Sequence, residues 1–174
     1  MIRIAFVGKR AAGQTQAAIH LKTKHGFKRT PLRDGVYKTL WRLYEYKHYY
    51  HIPPEVEWKY YDAMYGVDHK VFVTYLKNRL TRITNDVVVE DVRYTDEVEY
   101  LKNELGFLIV RIVAPEEHRK MYIPKMTRLD GSVLLYETFN HDPSAAIRAN
   151  YVIANNSREE LKAGLDKMIG DIKK

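Results

Sequence analysis

The sequence contains no cysteine. A disulfide framework, a thiol nucleophile and a thiolate zinc site are therefore excluded. It has no run of about 18 apolar residues, so no segment reads as a bilayer-spanning helix. The first residues lack the basic, apolar and small-residue order of a secretory signal, and a soluble, cytoplasmic protein is the expectation. Internal repeats, low-complexity tracts and linkers rich in Gly, Ser and Pro are also missing. With 174 residues, 45% of them hydrophobic, the chain reads as a single domain over 1–174. Acids are scarce in the first fifty positions, which hold 2 Asp or Glu against 11 Lys or Arg, whereas the remainder holds 20 against 18. Essentially all of the net charge of +7 lies in that first stretch. Such a field attracts phosphate esters or a nucleic-acid backbone, and charge alone does not choose between them or exclude a plain solvated surface.

The last absence is one lysine. "GKRAAGQT", residues 8–15, matches the phosphate-loop pattern G-x-x-x-x-G-K-[ST] except that Gln14 stands at the lysine position. The apolar run "IRIAFV" precedes it and a helical stretch follows, which is the context the pattern requires. In such a loop, glycines let successive backbone N–H groups converge on a phosphate at a helix N-terminus, and the Ser/Thr hydroxyl reaches a magnesium ion. Gly8, Gly13 and Thr15 fit those roles. Gln14 brings no positive charge, and Lys9 and Arg10 are the loop cations that could substitute.

Further strands are expected at "DVVVEDV" (86–92), "FLIVRIV" (107–113) and "ANYVIAN" (149–155). Helical spacing joins Val98, Leu101 and Leu105 in one segment and Leu161, Leu165, Met168 and Ile172 in another, the latter opened by Ser157 and Glu160 at capping-box spacing. Strands alternating with helices imply an α/β fold, a mainly parallel sheet covered on both faces, with ligands at the carboxyl ends of the strands. Residues 36–84 interrupt that rhythm as an all-helical insertion of three helices. Nine of the fourteen tyrosines and both tryptophans fall between Tyr37 and Tyr75. They are read either as packing among the helices or as a cleft where rings stack on a nucleobase.

Past the third strand, Asp91 sits where a parallel strand would present a ligand to magnesium, with Arg93 beside it and Glu90 as the competing carboxylate. The polar stretch at 115–137, with Arg119, Lys120, Lys125 and Arg128, reads as a phosphate-covering lid or as a solvated loop. His48 and His51 are one helical turn apart, but no third ligand accompanies them and a surface role is expected.

Taken together, "GKRAAGQT", "GFKRTPLRD" (26–34), "VVVEDVRYTDEVEYLKNELGFLIVRI" (87–112) and "HDPSAAIRANYVIANNSREEL" (141–161) cover most of the chain in order. On these segments the sequence resembles the deoxynucleoside monophosphate kinases of bacteriophages, within the P-loop nucleoside monophosphate kinase superfamily. The resemblance implies a P-loop three-layer fold and magnesium-dependent transfer of a phosphoryl group from ATP to a (deoxy)nucleoside monophosphate. It implies that Gly8, Gly13 and Thr15 hold the ATP phosphates and that Asp91 organises Mg2+; Lys9, Arg10 and Gln14 are counted with them as loop residues expected at the ATP phosphates, and Thr15 as the second expected metal ligand from the loop pattern. Arg33 and Arg93 would approach the acceptor phosphate, Arg119 and Arg128 would belong to the lid, and Tyr37 and Trp41 would lie on the acceptor side formed by 36–84. The sequence departs from the family at Gln14 and at Ala145, where an acid is expected, and His141 receives no role.

The expected partners are ATP and a nucleoside monophosphate, with a homodimer left open and neither membrane nor nucleic acid expected. A viral origin would place the protein in host cytoplasm. The alternatives are a nucleotide-binding regulator or sensor that has lost the transfer step, and a module that tracks single-stranded nucleic acid by charge and stacking.

Overall fold

The apolar residues after Ile2 form the first strand, β1 (Arg3–Val7), buried from Ile4 onward. The computed structural model describes residues 1–44, 52–121 and 142–174. His48, His51, Lys125, Arg128 and His141 lie outside those residues, as does most of the expected lid. From β1 the chain runs through the phosphate loop into α1 (Gln14–His25), then β2 (Lys28–Arg29), α2 (Asp34–Tyr44), α3 (Pro54–Val67), α4 (Val71–Leu80), β3 (Val87–Val89), α5 (Thr95–Asn103), β4 (Leu108–Val113), α6 (Glu116–Met121), β5 (Tyr151–Ala154) and α7 (Arg158–Ile172). Two compact units result: Met1–Arg29 with Asn85–Lys174, and Thr30–Thr84. The helical interval expected at 36–84 lies inside the second.

In the first unit the described strands form one sheet in the order β2-β3-β1-β4-β5, every pair parallel. Side chains alternate across each strand, which sends Ile4, Phe6, Val88, Val110, Ile112 and Ile153 to one face. There they meet Ala17, Ala18 and Leu21 of α1 and Leu161, Leu165 and Met168 of α7. Fully burying each large apolar side chain stabilises the fold by about 1.5–3 kcal/mol, and Phe6, Leu21 and Leu165 are completely buried. Ala5, Val89 and Ile109 supply the other face, where α5 packs against β4 through its buried Val98 and Leu101. Ser157 caps α7 by accepting the Glu160 N–H at 3.1 Å, as its spacing predicts. β3 is shorter than its apolar run, because Glu90 turns to an ion pair with Arg29 and the chain bends into α5. The two-residue β2 is too short to leave a periodic signal.

The order of the strands matters for the site. From β1 the chain crosses to β2 on one side, and from β3 it crosses to β4 on the other side of β1. That reversal leaves a crevice at the carboxyl ends of β1 and β3, the usual ligand position in open parallel sheets.

The second unit closes on Val36, Leu40, Tyr61, Phe72, Val73 and Leu76, all buried. The Tyr61 and Phe72 rings stack with centroids 3.9 Å apart. Part of the aromatic density is thus helix packing.

Candidate active site

Three residues within six positions of the loop have positive φ: Gly8 (139°), Ala11 (60°) and Gly13 (108°). Glycine is required at two of them. A Cβ at Gly8 would stand 2.4 Å from the Ile112 carbonyl oxygen, and one at Gly13 would stand 2.3 Å from Asn155 Nδ2. Ala11 tolerates a left-handed conformation that costs an L-residue of order 1 kcal/mol, a strain this loop sustains by external bonds.

Those bonds come from three directions. Gln14 Nε2 donates to the carbonyls of Gly8 at 2.9 Å and Lys9 at 3.1 Å. Asn155, just past β5, donates to the Ala12 carbonyl at 2.8 Å. Arg119 Nη1 of α6 points to the Arg10 carbonyl at 3.4 Å, its side chain buried. At the exit of the loop, Gly13 precedes α1 with no side-chain cap and no acid in the first turn. The first N–H groups of α1 and the positive end of its dipole thus face the loop, which is the condition for binding an anion.

Gln14 and Thr15 border a cleft of about 640 Å³ that continues past His118 and Met121 of α6 to Asn156 and Arg158 at the start of α7. Its volume suits a drug- or nucleoside-sized ligand. Thr15 is exposed on the first turn of α1. Lys9 is exposed as well. Lys120 bonds Glu116 at 2.6 Å and holds its carboxyl below the usual range, with smaller contributions from Arg119 and Lys9. The loop's exposed cation therefore stands within electrostatic reach of α6.

At the neighbouring strand end the two carboxylates separate. Glu90 is buried, and its Oε1 accepts from Arg29 Nε at 2.9 Å and from Arg29 Nη2. Asp91, one residue on, is half-buried beyond the end of β3. The register pairs Ala5 with Val89, so the residues after Val89 rise beside Val7 and the mouth of the loop. The turn that carries Asp91 and Arg93 is fixed by Glu97, whose Oε2 accepts the Arg93 N–H at 2.9 Å and the Tyr94 N–H at 3.1 Å. Glu97 is almost fully buried.

The structure thus brings Gly8, Lys9, Arg10, Gly13, Gln14, Thr15, Asp91, Arg93 and Arg119 into the first unit. Arg119 belongs to a short helix at the back of the loop and not to a solvated segment. In the second unit Arg33 and Tyr37 converge on the buried Glu57, at 3.2 Å from Arg33 Nη1 and 2.9 Å from the Tyr37 hydroxyl. Trp41 is 52% exposed. Sequence reasoning missed Asn155, Glu97 and the Arg29–Glu90 pair. Glu97 had a readable signal, an acid in the first turn of the expected helix; the other two depend on pairings distant in sequence.

No protein-family model matches the chain, and no curated protein matches it in sequence. Solved structures do match. TT1252 from Thermus thermophilus is similar with a TM-score of 0.59 at 18% identity, over 98% of this chain and 97% of that one. Shikimate kinase from Acinetobacter baumannii, solved in complex with shikimate, gives 0.54 at 18% identity over 99% and 93%, and shikimate kinase from Aquifex aeolicus gives 0.53 at 17% over 98% of each chain. Identities this low show shared architecture alone: the chain has the α/β fold of these structures, a parallel sheet between layers of helices.

Proposed function

We propose that this chain transfers the terminal phosphoryl group of ATP to the 5'-phosphate of a (deoxy)nucleoside monophosphate, giving the diphosphate. The observation that carries this reading is the curled loop between β1 and α1, held with its anion-binding helix end at the sheet's switch point beside Asp91. Kinase names among the structural neighbours agree with it. Nucleoside monophosphate as acceptor follows the resemblance of the Asp91–Arg93 segment and its flanks.

The donors available to a metal are oxygens: the exposed Thr15 hydroxyl on the first turn of α1 and the half-buried Asp91 carboxylate just past β3. That chemistry fits a hard cation. Mg2+ held by Thr15 and Asp91 would neutralise charge on the ATP phosphates. The chain's own groups do the rest. Loop N–H groups and the α1 dipole hold the phosphates, and Lys9 and Arg10 supply positive charge. Arg93 approaches the acceptor phosphate, one of whose oxygens attacks the γ-phosphorus in line as the bond to the β-bridging oxygen breaks. No covalent enzyme intermediate is needed. The 640 Å³ cleft beside the loop takes the nucleoside of ATP. Arg33, Tyr37 and Trp41 of the helical unit are the residues assigned to the acceptor, and Arg128 to the lid.

A second reading is favoured by one observation: both N–H bonds of the Gln14 amide are engaged by loop carbonyls. A protein in that condition can bind nucleotide with the transfer step weakened. One assay separates the two. Protein is incubated with Mg-ATP and a panel of ribo- and deoxyribonucleoside monophosphates, with shikimate as a comparison acceptor, and every product is quantified by chromatography. A nucleoside diphosphate formed from one acceptor, and lost in Asp91→Asn, supports the kinase. Nucleotide binding without product from any acceptor supports the binding protein, and phosphorylated shikimate would overturn the choice of acceptor.

A further inference from the structure

The far end of α1 carries a cluster that phosphoryl transfer does not use. His20 and His25 lie in the last turns of α1, and Asp166 meets them from α7. His20 Nε2 is 2.8 Å and His25 Nε2 is 2.7 Å from the same oxygen, Asp166 Oδ1, while Lys24 Nζ is 2.8 Å from Oδ2. The imidazoles meet edge to face at 5.8 Å. Both are largely buried, with 10% and 17% of their side chains exposed, and Asp166 is 30% exposed. One ligand atom from each of the three residues lies within 4.8 Å of the other two, and no other described residues form such a group.

We infer that His20, His25 and Asp166 form a binding site for a divalent transition-metal ion of the zinc type, one that clips α1 to α7. Two imidazole nitrogens and a carboxylate oxygen make a three-ligand set that zinc accepts, with water in the fourth position. Ligand atoms about 2.0–2.1 Å from a tetrahedral ion stand about 3.3 Å apart, so the present hydrogen-bonded spacing must open by about half an ångström. With the ion bound, each imidazole would offer its Nε2 lone pair to the metal and carry its proton on Nδ1. Burial would raise the Asp166 pKa, but hydrogen bonds from Lys24, His25 and His20 outweigh it and hold the carboxyl well below the usual range, so the ligand oxygen is already anionic. Lys24 can remain on Oδ2 as the carboxylate's outer partner. Its ammonium charge opposes the ion, however, and it is 56% exposed and able to swing away. The site is therefore weaker than a four-ligand structural zinc centre.

The position separates this site from the nucleotide. α1 begins at the phosphate loop, and its 12 residues span about 18 Å. Its consequence is mechanical: α1 and α7 cover the same face of the sheet, and α7 opens beside the nucleotide cleft.

The test uses tag-free, chelator-treated full-length protein without nucleotide. Zn2+ is titrated by calorimetry, Co2+ is added to read its visible absorption, and melting is followed with and without Zn2+. One ion per chain, a tetrahedral-type Co2+ spectrum and a raised melting temperature are expected. His25→Asn and His20→Asn should each weaken binding at least tenfold, with their folding checked by melting in chelator. Lys24→Ala should bind the ion as well as or better than the parent. Zn2+ uptake that is absent in the parent, or unchanged in both histidine variants, would overturn the inference and leave an ion-pair cluster only.

Discussion

Replacing Gln14 by lysine tests what the missing charge costs. In the structure the Gln14 amide closes the loop by donating to the Gly8 and Lys9 carbonyls. A lysine ammonium has three N–H donors, so two can replace those bonds while the third faces a phosphate. A charge-assisted hydrogen bond contributes roughly 1.5–3 kcal/mol, which corresponds to about 10- to 100-fold in affinity. The position is only partly buried, and solvent screening brings the expectation to the lower end, about tenfold. Gln14→Met is the companion change. It removes both donors at similar length and leaves the buried Gly8 carbonyl without the Gln14 bond, a loss of about 1–3 kcal/mol. ATP affinity by competition titration, diphosphate formation and urea unfolding, all at one fixed ionic strength, give the three readouts. Gln14→Lys should tighten ATP and raise turnover about tenfold, with stability close to the parent. Affinity and turnover both within about twofold of the parent, in a variant that melts normally, would refute the reasoning. Lys9 or Arg10 would then already provide the charge that position 14 lacks.

Asp91→Asn and Arg93→Ala should each lower turnover at least about tenfold while melting like the parent; normal rates in both would remove that segment from the active site. Glu97→Ala removes the acceptor of two backbone N–H groups from a buried position, and urea unfolding should show a loss of about 2–3 kcal/mol. Turnover should fall with it, whereas Glu97→Gln, which keeps an acceptor oxygen, should recover much of both. Arg29→Ala leaves the Glu90 carboxylate buried without its guanidinium and should cost about 3 kcal/mol, while the double change Arg29→Met with Glu90→Leu should cost far less. Equal losses in the single and double variants would show that packing, not charge, dominates there.

The parts of this fold that were legible in the sequence are those whose signals are local. A short apolar strand ending in glycine, a helix with a serine cap and an Asp-Val-Arg segment each announce themselves within a few residues. Sequence favoured Asp91 over Glu90 by position alone and could not show what Glu90 does, because its partner, Arg29, lies 61 positions away. Arg119 reads as one more cation in a polar stretch, yet it is buried behind the loop, since α6 follows β4 directly and brings it there. The segment after His141 is similar. Its Asp142 accepts from the Ser144 backbone and hydroxyl, and Arg111 of β4 donates to the carbonyls of Ser144 and Ile147. That clamp needs the register of β4 to be known.

The fastening of the loop bears on what a glutamine at position 14 can and cannot do. A trans peptide is planar, so fixing a carbonyl in one direction fixes the following N–H in the opposite one. Gln14, Arg119 and Asn155 engage the carbonyls of Gly8, Lys9, Arg10 and Ala12. The N–H groups of Lys9, Arg10, Ala11 and Gly13 are therefore oriented by bonds that do not depend on a charge at position 14. The shape that binds an anion and the charge that speeds transfer are supplied by different atoms. Under the proposed function, Gln14 serves the first role and brings no charge to the second. Gln14→Met should accordingly damage ATP binding through shape, and Gln14→Lys should improve it through charge, so the two substitutions are expected to move affinity in opposite directions from the same position.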